Sequence, residues 1–292
     1  MKFKNKFIST LCVASILTFS SLTAFADTYN VVTLGANLSE DQKSQMLNYF
    51  GVKDGDAQVL TVTNSEERQY LQGVAPESQI GTKSISSSYV QPLSKGSGLD
   101  VETNNLTWVS ESMIANALAT AGVEDAKVVA SAPFKVSGTA ALTGIVKGFE
   151  KSTGEKIDKE ALQTANEELV VTGELGQNIG KDEAAAVINQ IKEEVVKQGA
   201  KSEDEIKQII INISNEYNIN LTPDQIAQIL GLMKNISGLN LDLGQLQGQL
   251  QNISSKIEET LGNVDVEQAQ GFFNSLMDFI QNIMNSIFDS FK

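Results

Sequence analysis

Apolar positions along the chain follow two regimes, and the change comes near residue 137. Before it, short β-rich runs alternate with short amphipathic stretches. Residues 31–36 (VVTLGA), 57–63 (AQVLTVT), 85–93 (ISSSYVQPL), 99–109 (LDVETNNLTWV) and 127–132 (KVVASA) read as strands. Ser39 and Gln42 form a capping box ahead of Met46, Leu47 and Phe50, with Gly51 as the stop. Asn64 opens a helix that runs to about Gln72. Ser110 and Glu111 open another, carrying Met113, Ile114, Ala117 and Leu118 as far as Gly122. The glycine-bearing loop at 95–98 predicts a hairpin between its flanking strands, and Pro133 predicts the end of the last strand. The order β-α-β-α-β-β-α-β predicts an α+β fold, with an N-terminal mixed sheet carrying helices on one face.

From Gly138 onward the apolar spacing is helical. Leu142, Ile145, Val146 and Phe149 mark one helix, and Asp158 caps the next, with Ala161, Leu162, Ala165 and Leu169 inside. Residues 173–180 read as a glycine-marked loop. A helix over 182–198 buries Val187, Ile188, Ile191 and Val195. Ser202 with Glu205, and Thr222 with Pro223 and Gln225, start two more. The similarity of 39–47, 202–210 and 222–230 is a recurring helix-start device of cap, acids and an apolar step. Leu239, Leu243, Leu246, Leu250, Ile253 and Ile257 form a heptad seam, weakened by Gly244 and Gly248. A final helix over 271–291 carries Phe273, Leu276, Ile280, Ile283 and Ile287 on one face. Its polar face holds Asp278 and Asp289 with Lys292 as the lone cation, unlike helices that lie on anionic membranes. It is therefore expected to pack on protein, in a hairpin with 239–261 or by self-association; a membrane surface is the less favoured partner.

The first 26 residues stand apart. Lys2, Lys4 and Lys6 precede an apolar run over 7–22, and Ala24-Phe25-Ala26 fits an A-x-A cleavage box, so they read as a secretory signal peptide. The lone cysteine, Cys12, lies inside that run and lacks a lipid-attachment box. The expected division is a signal peptide (1–26), an α+β domain (27–136), a helical region (137–238) and an amphipathic hairpin (239–292).

Composition then narrows the chemistry. With no His and no Cys after residue 26, ordinary zinc, copper and haem sites and His-dependent nucleophiles are excluded, and no cofactor is expected. No Ser-x-x-Lys tetrad occurs. Loss of the three leader lysines takes the formal net charge from −14 to −17, which repels nucleic acid. Carboxylates are the remaining acid–base tools. Glu167-Glu168, Glu193-Glu194 and Glu258-Glu259 diverge by about 100° on a helix and read as solvated faces, not catalytic pairs. Asp54-Gly55-Asp56 reads as a turn, and Trp108 as a half-buried cap on the core in preference to a sugar platform. No catalytic, cofactor or metal residue is assigned.

Residues 33–52 (TLGANLSEDQKSQMLNYFGV), 137–150 (SGTAALTGIVKGFE) and 168–173 (ELVVTG) resemble the YpuA-like family, secreted Gram-positive proteins classed as a domain of unknown function. The resemblance covers roughly 28–238 and implies export and an extracellular or envelope role; it carries no catalytic residues. The expected function is a non-catalytic interaction or scaffold protein, the alternative a carboxylate-dependent hydrolase of cell-wall glycan. Export has a direct check: N-terminal sequencing of the secreted protein should begin at Asp27. Recovery of residues 1–26 on the membrane-bound chain would refute it.

Overall fold

A computed structural model describes residues 29–53 and 55–262. The leader expected over 1–26 and the helix expected over 271–291 lie outside the described residues. Strands β1 (Val31–Gly35), β2 (Gln58–Val62), β3 (Ser87–Pro92), β4 (Leu99–Leu106) and β5 (Ala126–Val136) form one mixed sheet in the order β2-β1-β3-β5-β4. β1 pairs with β2, and β4 with β5, in parallel. β3 runs antiparallel to both of its neighbours, β1 and β5. The helices are α1 (Glu40–Tyr49), α2 (Asn64–Leu71), α3 (Glu77–Ile80), α4 (Glu111–Thr120), α5 (Ala140–Thr153), α6 (Lys159–Ile179), α7 (Lys181–Gln198), α8 (Glu203–Glu216), α9 (Pro223–Gly238) and α10 (Leu243–Gly262). The α+β reading is correct.

Local chemistry sets most boundaries. Ser39–Gln42, Ser202–Glu205 and Thr222–Gln225 close reciprocal capping boxes, and Asp158 accepts from Glu160 and Ala161 N–H. Thr63, one residue before the expected start, caps α2 with Glu66. The expected hairpin across residues 95–98 does not form. β5 inserts between β3 and β4, and the loop arches over the residue just before it: Leu93 N–H donates to Asp125 O, and Gly98 N–H to the Asp125 carboxylate. Pro133 does not stop β5 either. The β3 ladder ends at Ser131, so the missing proline N–H costs no bond there. Beside β4 the register shifts at Asn105, whose φ is 61°.

The helical mass lies on one face of the sheet. α5 approaches closely because Gly144 and Gly148 lack side chains. A Cβ on Gly148 would sit 3.1 Å from Val90, and Thr33 Oγ1 donates to Gly144 O at 3.0 Å. The opposite face carries α1, whose Met46 packs on Val32 and Leu34, with Phe50 stacked beside Tyr89. One continuous buried cluster runs from Leu71 through α4–α9 to Leu261.

Two expectations in the helical part are corrected. Residues 173–180 are not a loop: α6 continues to Ile179, and the break falls at Gly180, with φ of 100°. Gly173 is instead a contact surface, where a Cβ would meet the Trp108 ring at 2.4 Å. Trp108 is thus fully packed, 6 % exposed, with no face left to stack on sugar. The seam begins later than expected, because Leu239 ends α9 and Leu243 is exposed. Leu246, Leu250, Ile253, Ile257 and Leu261 are buried against α7 and α4. The buried side of the seam therefore faces the body of the protein.

Two glycine substitutions separate packing from propensity. Gly248→Ala in α10 meets nothing within 4 Å and should stabilise by about 1 kcal/mol. Gly173→Ala gains the same propensity yet must displace Trp108, so a net loss of about 1–2 kcal/mol is expected. Adding Trp108→Phe should lessen that loss. Urea denaturation of the variants reads all three; a stabilised Gly173→Ala would contradict the contact.

Candidate functional site

The densest polar chemistry lies inside the helical core. On α6, Ala161, Ala165, Leu169 and Thr172 face inward, and Glu168 shares that side. On α7, Lys192 falls between Ile188, Ile191 and Val195. Both side chains are fully buried, with Lys192 Nζ 2.7 Å from Glu168 Oε1. The ammonium also donates to Asn116 O and Thr120 Oγ1, each at 3.0 Å, which uses all three of its N–H groups. The Thr120 hydroxyl donates in turn to Glu168 Oε2 at 2.5 Å. Asn116 Nδ2 adds a bond to Ala185 O at 2.9 Å. The cluster therefore ties α4, α6 and α7 together. Burial pulls the Lys192 ammonium below the ordinary lysine range, and the Glu168 charge and hydrogen bond oppose that. No substrate reaches these groups from solvent.

This overturns the solvated reading of two expected surface acids. Adjacent helical residues diverge, so one of each pair points inward. Glu167 stays outside, accepting from Asn235 at 2.7 Å, while Glu168 is the buried anion. Glu193 is also buried. Around Tyr217, at the far ends of α7, α8 and α10, the carboxyls of Glu193, Glu216 and Glu258 are all pushed up, mainly by burial. Gln251 and Lys197 pull Glu193 back, and Glu194 raises both Glu193 and Glu216. Burial and these three acids drive the Tyr217 hydroxyl far above its ordinary value.

A third feature opens to solvent. A cleft of about 720 Å³ lies between the β2 edge and the end of α5, lined by Tyr29, Leu60, Lys147, Glu150, Lys151 and Lys156 among others. Its volume is in the range of small-molecule and peptide subsites. Lys147 donates to Thr61 O at 2.7 Å and pairs with Glu66 at 2.5 Å. Burial pushes the Glu66 carboxyl up, yet hydrogen bonds from Lys147 and Thr63 outweigh it and hold it below the usual range. Lys156 pairs with Glu150 at 2.9 Å, and Glu150 also accepts from Ile157 N–H. The Ser152 hydroxyl donates to Tyr29 O.

Elsewhere, Asp56 accepts from Lys53 N–H in a turn; Asp54 lies outside the described residues. Among the described residues no group of three or more acids is arranged to hold a metal ion, and no helix is long and apolar enough to cross a membrane.

Comparison with known proteins adds the following. Residues 34–253 match the model of a family described as "Protein of unknown function (DUF1002)". The chain is 42 % identical over 263 residues to "Uncharacterized protein YpuA" of Bacillus subtilis (strain 168), covering 90 % of this chain and 89 % of that protein. No solved structure matches.

Two measurements probe the charged core and the acidic corner. Lys192→Met leaves Glu168 buried without its cation and should cost about 3–5 kcal/mol, whereas Lys192→Met with Glu168→Leu should recover most of it. Equal losses in both, by urea denaturation, would mean that the pair is not coupled. Glu258 tests the corner. A carboxyl raised in the folded chain contributes stability that is fully present below the ordinary Glu value of about 4.3 and lost as pH rises through the raised value. Glu258→Gln, which cannot ionise, should therefore gain stability over wild type near pH 7, with the gain shrinking as pH falls toward about 4. A gain that is the same across that window would contradict the shift.

Proposed function

Because the chain belongs to the DUF1002 family, whose description leaves its role open, we propose a function from its own geometry: a secreted or envelope-associated interaction protein that binds a partner and performs no chemistry on it. The observation that carries this reading is the state of the Lys192–Glu168 pair. Lys192 and Glu168, a potential proton-transfer pair, are sealed in the core with their hydrogen bonds taken up by each other, Asn116 and Thr120. What the protein offers to solvent is surface: an open cleft, a strand edge and an acidic exterior. The leader and the resemblance to exported proteins support placement outside the membrane.

A second reading, hydrolysis of cell-wall glycan by carboxylates, has one observation in its favour. Glu160 and Glu167 line one groove of about 330 Å³ between α6 and α9. Two turns of helix separate their backbones by about 10 Å, at the outer limit for a glycosidase pair. Glu167 is, however, engaged by Asn235.

One experiment separates the two. The mature chain is immobilised and exposed to a detergent-solubilised envelope fraction, and in parallel incubated with purified cell walls while turbidity is followed. The interaction reading expects saturable capture of a protein and unchanged turbidity. Wall clearance that Glu160→Gln abolishes would establish the hydrolase in its place.

A further inference from the structure

The two edges of the sheet are treated differently. Along β4 the outward backbone groups belong to Leu99, Val101 and Thr103, because Ala126 N–H bonds Gly98 O on the inner side and the ladder alternates from there. Side chains cover this edge: Lys256 of α10 donates to Leu99 O at 2.7 Å, and Glu111 of α4 accepts from Thr103 N–H at 2.9 Å. Along β2, Gln58 N–H donates to Asn30 O and Val62 O accepts from Ala36 N–H, so Gln58, Leu60 and Val62 turn toward β1. Val59 and Thr61 turn outward. Lys147 takes Thr61 O, while Val59 N–H, Val59 C=O and Thr61 N–H have no hydrogen-bond partner among the described residues. Val59 itself is 48 % exposed.

The cleft adjoins this edge. Gln58 and Leu60 point into it from β2, and Lys147, Lys151 and Lys156 stand over it from the α5 side. Against them the cleft sets Glu150, and Glu66 is held by Lys147. Lys151 has no ion-pair partner among the described residues. In a chain with 36 acidic and 22 basic residues, a locally cationic cleft beside a strand edge left unpaired among the described residues is a departure from the rest of the composition.

We propose that the outer edge of β2 docks an extended peptide segment of a partner protein, acidic at alternate positions, as an added strand of the sheet. The backbone of the segment pairs with Val59 and Thr61. Its side chains alternate in direction. One set enters the cleft, where carboxylates meet Lys151, Lys147 and Lys156; the other lies beside the exposed Val59 and is apolar. Main-chain pairing supplies affinity and the cleft supplies selectivity, the general division of labour in strand addition. This inference rests on the interaction reading above and assigns it a surface and a partner chemistry.

The test uses the mature chain and a random peptide library. Enriched peptides should alternate apolar residues with Asp or Glu. Val59→Pro removes an outward N–H and no ladder bond to β1, so the sheet is retained while strand addition is blocked. It should weaken an enriched peptide, measured by fluorescence anisotropy, by about tenfold or more. Lys151→Glu leaves the backbone untouched and should weaken acidic peptides while sparing lysine-bearing versions. It keeps the test decisive if Val59→Pro fails to melt as wild type. No alternating acidic consensus, or equal binding by wild type and Lys151→Glu, overturns the proposal. A wild-type dimer in sedimentation that Val59→Pro abolishes also overturns it, since the edge then pairs with a second copy. Envelope capture that survives both variants removes this surface while leaving the interaction reading in place.

Discussion

The helical core is arranged around one buried charge pair. Taking Lys192 and Glu168 out of water costs several kcal/mol per ion, and their mutual attraction offsets this only if every remaining donor and acceptor is satisfied. Satisfaction comes from α4: the Asn116 carbonyl and the Thr120 hydroxyl complete the ammonium's shell, and Thr120 also serves the carboxylate. These partners lie on three helices, so the pair is tolerable only when α4, α6 and α7 meet in one register. A slip of one residue on any of them would leave a charge facing Leu, Ile or Ala. Apolar packing alone would favour the native arrangement less sharply, because Ala, Leu, Ile and Val neighbours on these helices can substitute for one another with less penalty than a misplaced charge. The ionic cluster adds little net stability and a steep penalty for misalignment.

That register places the remaining parts. α4 is the crossover between β4 and β5, so fixing it against α6 and α7 anchors the helical bundle to the sheet. α10 then lies in the trough between α7 and α4, where Asn189 donates to Leu250 O, and Gln249 to Val123 O. On the other side of the bundle, Gly144 and Gly148 bring α5 against β1 and β3, while Glu67, buried and raised by its burial, accepts from Thr139 at the start of α5. The Trp108 ring closes the corner against Gly173.

Much of this was legible in the residues. Capping boxes depend on two positions three apart, so Ser39, Ser202 and Thr222 announced helix starts that the structure keeps. Element types followed from apolar period. Three features escaped because their causes are tertiary. β5 enters between β3 and β4 from about thirty residues downstream, and a period-2 pattern carries no address for its partner. Gly173 looks like a breaker until the Trp108 ring that needs its bare surface is in place. Glu168 was read by charge as a surface group, and Lys192 was not singled out at all. The signal that marks them was present: Glu168 follows Ala161 by seven and Ala165 by three, and Lys192 follows Ile188 by four, so each lies within its helix's apolar stripe. A charge of each sign in facing stripes is a better indicator of a buried pair than adjacency of two acids.

The same packing decides which sheet edge stays available. Parallel pairing of β4 with β5 obliges the chain to cross over through α4, and α4 recruits α10. Both helices end up beside β4, so Lys256 and Glu111 reach its outward backbone groups as a consequence of core assembly. β2 sits at the opposite end of the sheet, four strands away from that bundle. Its crossover helix, α1, covers the face and not the edge, and α5 reaches the edge only through Lys147. A short strand with one lysine across it is protected against uncontrolled sheet-to-sheet aggregation, yet three of its outward backbone groups have no partner among the described residues. The asymmetry that locks one end of the sheet therefore leaves the other as the place where the fold has pairing capacity to spare.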